Sequence, residues 1–184
     1  RVYQSGGQVQ SVFVINDTTA ALACGNAGVH ILSVKPEIKR IAVIPTEDIA
    51  FDVAVRGERL YMAEGKRGLS IWEYRNNTAV LLGRYRKEKG TINQVVVPPR
   101  GDYVLVQDTP HLIEIIDVRD PTTPACIISD KGPGIFYGRY ISTRLVNDRY
   151  AAVYWHMGGP VWYDMSGDKP VIASDMPSSA YNII

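Results

Sequence analysis

The chain has little of most things that announce a function. Two cysteines in 184 residues are too few for a disulfide framework and do not identify a redox compartment. Lys plus Arg total 20 against 19 for Asp plus Glu, a net charge of +1, so no strong field exists to draw in nucleic acid or an anionic membrane. The densest basic stretch, Arg84 to Lys89, is interrupted by Tyr85 and Glu88 and reads as a solvated strand end and loop. No apolar run is long enough to cross a bilayer, so membrane insertion is not expected. No window keeps the i, i+3, i+4, i+7 apolar spacing over three turns, and β-branched and aromatic residues dominate the apolar runs, so helix content should be very low. The chain holds no G-x-S-x-G, H-E-x-x-H, P-loop, G-x-G-x-x-G or paired C-x-x-C motif, and no metal or cofactor is expected.

What the chain does have is a fourfold repeat. SVFVINDTTAALACGNAGVHILSV, DVAVRGERLYMAEGKRGLSIWEY, QVVVPPRGDYVLVQDTPHLIEIIDV and STRLVNDRYAAVYWHMGGPVWYDM begin at Ser11, Asp52, Gln94 and Ser142. Their penultimate residues Ser33, Glu73, Asp117 and Asp164 recur at intervals of 40, 44 and 47, the period of a solenoid, propeller or array. Each unit reads strand, turn, strand, loop, strand, and IKRIAVIP, AVLLGRYR, PACIISD and PVIASDM supply a fourth strand. Four short antiparallel strands per period match a propeller blade. Runs such as Val95 to Val97, Tyr103 to Val106 and Ile113 to Val118 are apolar on both faces, as a sheet buried between neighbouring blades requires. The expected fold is all-β, a β-propeller of four-stranded antiparallel blades. Four complete blades cover about 8–47, 48–90, 91–134 and 135–179. Cys24 and Cys126 lie in units one and three and are expected as buried free thiols.

Ile115 to Pro124, IIDVRDPTTP, resembles the LVIVD repeat, a blade motif of bacterial and archaeal propellers, as does AFDVAVRGERLYMAEGKRGLSIWEY; YDMSGDKP keeps a weaker version, whereas SVKPEIKR and EYRNNTAV lack the Asp-Pro turn. The resemblance implies an exported or surface-anchored protein and identifies a blade, not a reaction. Asp120 before Pro121 suits a turn, because proline presets φ and the Asp side chain bonds backbone two residues on.

RVYQSGGQVQSVFV resembles GRYRKEKGTINQVVV, so Arg1 to Gln4 read as the tail of a preceding blade, while Ala180 to Ile183 align with Ala50 to Val53 inside an inner strand. Stacked blades bury both faces, and an open arc would expose large apolar patches. The expected assembly is therefore a segment of a seven- or eight-bladed ring. A closed four-bladed ring and two copies completing one ring through open blade faces are the alternatives. The chain opens at Arg1 with no initiator Met, which leaves room for a removed leader.

Loops joining second to third strands and loops joining blades should share one face, the part of a propeller best placed for recognition. Lys66, Arg67, Asp108, His111, Asp130, Lys131, Tyr137, Trp155 and His156 are the candidate contacts there. Each has a structural alternative: solvated turns for Lys66 and Arg67, capping for the histidines, inter-blade packing for Trp155. Ser11, Asp52, Gln94 and Ser142 begin the inner strands and either line a polar channel or bond strand-end backbone. Glycosidase chemistry would need opposed carboxylates, for which Glu47, Asp48, Glu64, Asp108 and Asp130 are the candidates. A noncatalytic binding or scaffold module for a protein or glycan is the favoured reading. The alternative is part of a hydrolase or lyase acting on glycans whose site needs further blades.

Overall fold

The computed structural model describes residues 2–109, 112–130, 141–145, 149–155, 159–167 and 169–173. Strands β1 (Ser11–Asn16), β2 (Thr19–Ala23), β3 (Val29–Ser33) and β4 (Lys39–Ile44) form the first sheet, and β5 (Asp52–Arg56), β6 (Arg59–Ala63), β7 (Leu69–Arg75) and β8 (Thr78–Tyr85) the second. The third holds β9 (Thr91–Val96), β10 (Tyr103–Thr109), β11 (Leu112–Asp117) and β12 (Ala125–Asp130); the fourth holds β13 (Ile141–Leu145), β14 (Tyr150–Trp155), β15 (Gly159–Asp164) and β16 (Val171–Ile172). Every pairing is between sequence neighbours and antiparallel. Among the described residues there is no helix.

Register makes the repeat literal. Ser11 pairs with Ala23, Asp52 with Ala63, Gln94 with Gln107 and Ser142 with Tyr154. The residue that follows, Val53 in the second unit and Val95 in the third, packs against the preceding sheet. One difference from the sequence reading is that the third inner strand begins at Thr91 rather than Gln94, because Ile92 forms a bridge with Gly65 of the preceding unit. Where the second unit lacks Asp-Pro, Asn76 and Asn77 close the β7–β8 hairpin, both at positive φ (51° and 61°). This is the pattern of a two-residue type I′ turn, which asparagine tolerates well.

The hydrophobic core lies between sheets. Ile31, Ile44 and Phe13 of the first meet Val53, Leu60 and Met62 of the second. Tyr61, Leu69 and Ile71 of the second meet Val95, Val104 and Val106 of the third. Leu105, Ile113 and Ile115 of the third meet Ala151, Val153 and Tyr163 of the fourth. Burial of each such large side chain is worth about 1.5–3 kcal/mol, so stability comes mainly from stacking one sheet on the next. The first strands of successive sheets touch, β1 against β5, β5 against β9 and β9 against β13, which sets them on the inside of a radial stack. This is β-propeller architecture. Both cysteines are free, Cys24 buried as expected but Cys126 only half-buried.

Candidate functional site

The two loop sets do share a face in the first three units. Gly25 and Ala50 exchange backbone hydrogen bonds (3.2 and 3.0 Å), as do Gly65 and Ile92 (3.1 and 3.0 Å). The second-to-third-strand loops of the first two units are thus stitched to the chain entering the next unit. The Lys66 N–H donates to Asp48 Oδ2 at 2.9 Å, adding a side-chain stitch.

A second kind of stitch uses buried carboxylates. Glu64, just past β6, is fully buried. It accepts hydrogen bonds from Arg84 Nη1 (2.8 Å), the Glu47 N–H (2.9 Å) and the Ser70 hydroxyl, to which the Trp72 indole N–H donates at 3.0 Å. Asp108 holds the corresponding position in the third sheet, where it accepts from Lys87 Nζ (2.6 Å) and from the Thr91 N–H. Lys87 Nζ also donates to Glu114 Oε1 at 2.8 Å. Burial works against the Lys87 ammonium, but its hydrogen bonds to Asp108 and Glu114 outweigh that and hold its pKa above the ordinary lysine value. In the first sheet the same two positions carry Cys24 and His30. Tyr3 donates its hydroxyl to His30 Nδ1 (2.7 Å), while His30 Nε2–H donates to the Ala27 carbonyl (3.1 Å). Burial lowers the ring's pKa, and the Ala27 hydrogen bond offsets part of that.

Above these buried groups, Lys66 and Arg67 stand exposed, as the sequence suggested. Glu47 gathers Arg84 (3.3 Å), Arg86 (3.2 Å) and Arg67 (3.8 Å). Slight desolvation raises its carboxyl, but Arg84 and then Arg86 and Arg67 hold it below the usual carboxylate range. Asp108, expected to contact a ligand, is instead spent inside the fold on Lys87 and Thr91, because the incoming loop covers it completely. Glu47, Glu64 and Asp108 are likewise paired with cations rather than opposed across a cleft. Asp48 is committed to the Lys66 backbone.

On the inner strands, Asp52 Oδ2 accepts the Val95 N–H of the next sheet at 3.0 Å, and Oδ1 accepts its neighbour Val53 N–H at 2.9 Å. Burial raises its pKa, and the Val95 hydrogen bond offsets part of that rise. Asp52 therefore staples two sheets together at the axis. Ser11 and Gln94 are half-buried nearby in the sequence-equivalent positions. His111, Lys131, Tyr137 and His156, and the side chains of Asp130, Trp155 and Ser142, lie outside the described residues.

At the opposite strand ends, Asp120 accepts the Thr122 N–H (2.9 Å) and hydroxyl (2.6 Å) and the Thr123 hydroxyl (2.9 Å), so the Asp-Pro element is a turn. Asp164, the equivalent of Asp117, accepts the Ser166 N–H and hydroxyl and pairs with Arg149 at 2.7 Å. No group of three or more metal-ligating side chains occurs among the described residues, and no helix there is long and apolar enough to cross a membrane.

No family model matches the chain, and no curated protein matches it. Among solved structures, the β-propeller domain of Cps50 (Swd1) from Myceliophteria thermophila superposes with a TM-score of 0.64 at 16% identity, covering 92% of this chain and 56% of that one. A protein from Lactobacillus plantarum gives 0.68 at 12%, over 90% and 54%. The C-terminal WD40 domain of Sif2 gives 0.62 at 13%, over 85% and 45%. These likenesses establish the propeller fold, and this chain spans about half the length of those chains.

Proposed function

We propose that the chain is a noncatalytic recognition and scaffold module, part of a larger propeller, that presents the loop face to a protein or glycan ligand. The observation that carries this reading is the way the face is built. Glu64, Asp108 and Asp48 are consumed in fixing loops to blades, while Lys66, Arg67 and Arg86 stay exposed, the two arginines beside Glu47. Paired carboxylates suit preorganised recognition, which lowers the entropic cost of binding, and do not suit acid–base work, which needs groups free to exchange protons with a substrate. The turn chemistry of Asp120 supports the LVIVD-repeat reading, and with it a place at the bacterial cell surface.

The first sheet supports the larger ring. Val12 and Val14 are 61% and 70% exposed, whereas Val53 and Val95, the equivalents of Val12 in the next two units, are 2% and 4% exposed against the preceding sheet. The first sheet thus offers the face of an internal blade. A further blade, or a second copy of the chain, would cover it.

Arrays of glycans and peptides probed with the labelled chain test the function. Binding lost in Lys66→Ala/Arg67→Ala with unfolding unchanged supports it. Turnover of glycoside or polyuronide substrates, with no binding dependence on Lys66 and Arg67, points to the hydrolase or lyase alternative instead.

A further inference from the structure

The station built from Lys87, Asp108 and Glu114 differs in kind from its neighbours. In the second sheet the same place holds Arg84, Glu64 and Ser70, and in the first it holds Cys24 and His30. A guanidinium stays protonated in proteins and is no nucleophile. Among the described residues, the third unit alone brings together a primary amine, an acceptor carboxyl and a second carboxylate at this place.

The side chains of Lys87, Asp108 and Glu114 are 9%, 2% and 6% exposed. Their cross-strand partners Ile92, opposite Asp108, and Val106, opposite Glu114, are fully buried. Lys87 Nζ stands 2.6 Å from Asp108 Oδ2 and 2.8 Å from Glu114 Oε1, and the Tyr85 hydroxyl also faces the Glu114 carboxylate. The Thr91 N–H donates to Asp108 Oδ1. Gly90, at φ 105°, packs so closely that a Cβ there would clash with the Asp108 carboxylate. The loop therefore clamps the carboxyl against the amine.

We propose that Lys87 and Asp108 condense to an intramolecular isopeptide bond, with Glu114 moving the protons. The resting ammonium–carboxylate pair is the reactant. Glu114 takes a proton from Nζ and hands it to Asp108 Oδ2, the amine attacks Cγ of the now neutral carboxyl, the new Nζ–Cγ bond forms and the Cγ–Oδ2 bond breaks. Of the three ammonium hydrogens one stays on the amide nitrogen. The other two pass through Glu114 to Oδ2, which leaves as water, and Glu114 ends as it began. No oxidant, reductant or cofactor enters the balance. Oδ1 becomes the amide oxygen, and the Thr91 N–H stabilises the negative charge it bears in the tetrahedral intermediate. Proximity in a site closed to water supplies what free amine and carboxylate lack in solution. The product ties the loop entering the third sheet to the end of β10.

Intact-mass spectrometry of the purified chain tests this. The expected mass is below that of the sequence by one water, with a proteolytic fragment joining the peptides of Lys87 and Asp108. Lys87→Arg, which keeps the charge and the ion pair, restores the full mass. Glu114→Gln keeps the residue's volume and also leaves the chain unlinked, and a linked Glu114→Gln variant would overturn the proton role. Full mass in the wild-type chain, both fresh and after prolonged incubation at alkaline pH, would overturn the proposal and leave a buried ion pair.

Discussion

Replacing Glu64 by leucine removes the peg that holds the second sheet to the chain entering it. The carboxylate is fully buried and bonds Arg84, Ser70 and the Glu47 N–H. Its loss leaves the Arg84 guanidinium, only 9% exposed, beside Glu47 alone. Stranding one partner of a buried ion pair costs about 3–5 kcal/mol. For a domain of this size each kcal/mol lowers Tm by about 2–4 °C, so the melting point should fall by roughly 10 °C. Equilibrium urea unfolding gives the free energy directly. The Glu64→Leu/Arg84→Leu double variant should recover most of it, because removing both charges eliminates the stranded ion. Amide exchange at Glu47 should accelerate in the single variant as its acceptor disappears. A single-variant loss below about 1 kcal/mol, with Glu47 still protected, would show that the carboxylate does not organise the loop.

Three further outcomes follow from the same geometry. His30 has its pKa lowered by burial, so the unfolded state binds the extra proton. Its contribution is complete above the ordinary value near 6.5 and is lost as pH falls through the depressed folded pKa; unfolding free energies measured across that window should fall with acid in the wild type and less in His30→Gln. Asp52 has a raised pKa and works in the opposite sense: its contribution is largest below the unfolded value near 4 and declines as pH rises through the folded one. Asp52→Asn should flatten that decline and speed exchange at the Val95 amide; unchanged exchange would remove the staple. Lys66→Ala and Arg67→Ala change stability by less than about 0.5 kcal/mol, measured by the same unfolding curves. A larger loss in either would mean these side chains support the fold.

The repeat and its strands were legible because apolar runs of two-sided character and turns at a steady period are local properties. The β7–β8 turn shows the limit of motif reading, since Asn-Asn supplies by φ what Asp-Pro supplies elsewhere. The site was legible only in part. Asp108 and Glu64 look like ordinary loop acids in a linear reading, because the loops that bury them arrive from some 17 residues earlier. The overlay did contain the signal: Cys24, Glu64 and Asp108 share one column and His30, Ser70 and Glu114 another. Those columns are polar or reactive in an otherwise apolar strand ending. Lys66 and Arg67 could be placed because a hairpin tip is exposed whatever stands behind it.

Solvent paramagnetic relaxation of valine methyl groups, measured on the monomeric chain with a soluble gadolinium chelate, reads the stacking of sheets most directly. Radially stacked blades with an uncovered first face predict strong relaxation at Val12 and Val14 and near-complete protection at Val53 and Val95. Equal protection at all four would contradict that arrangement, as would relaxation of Val53 to the level of Val12.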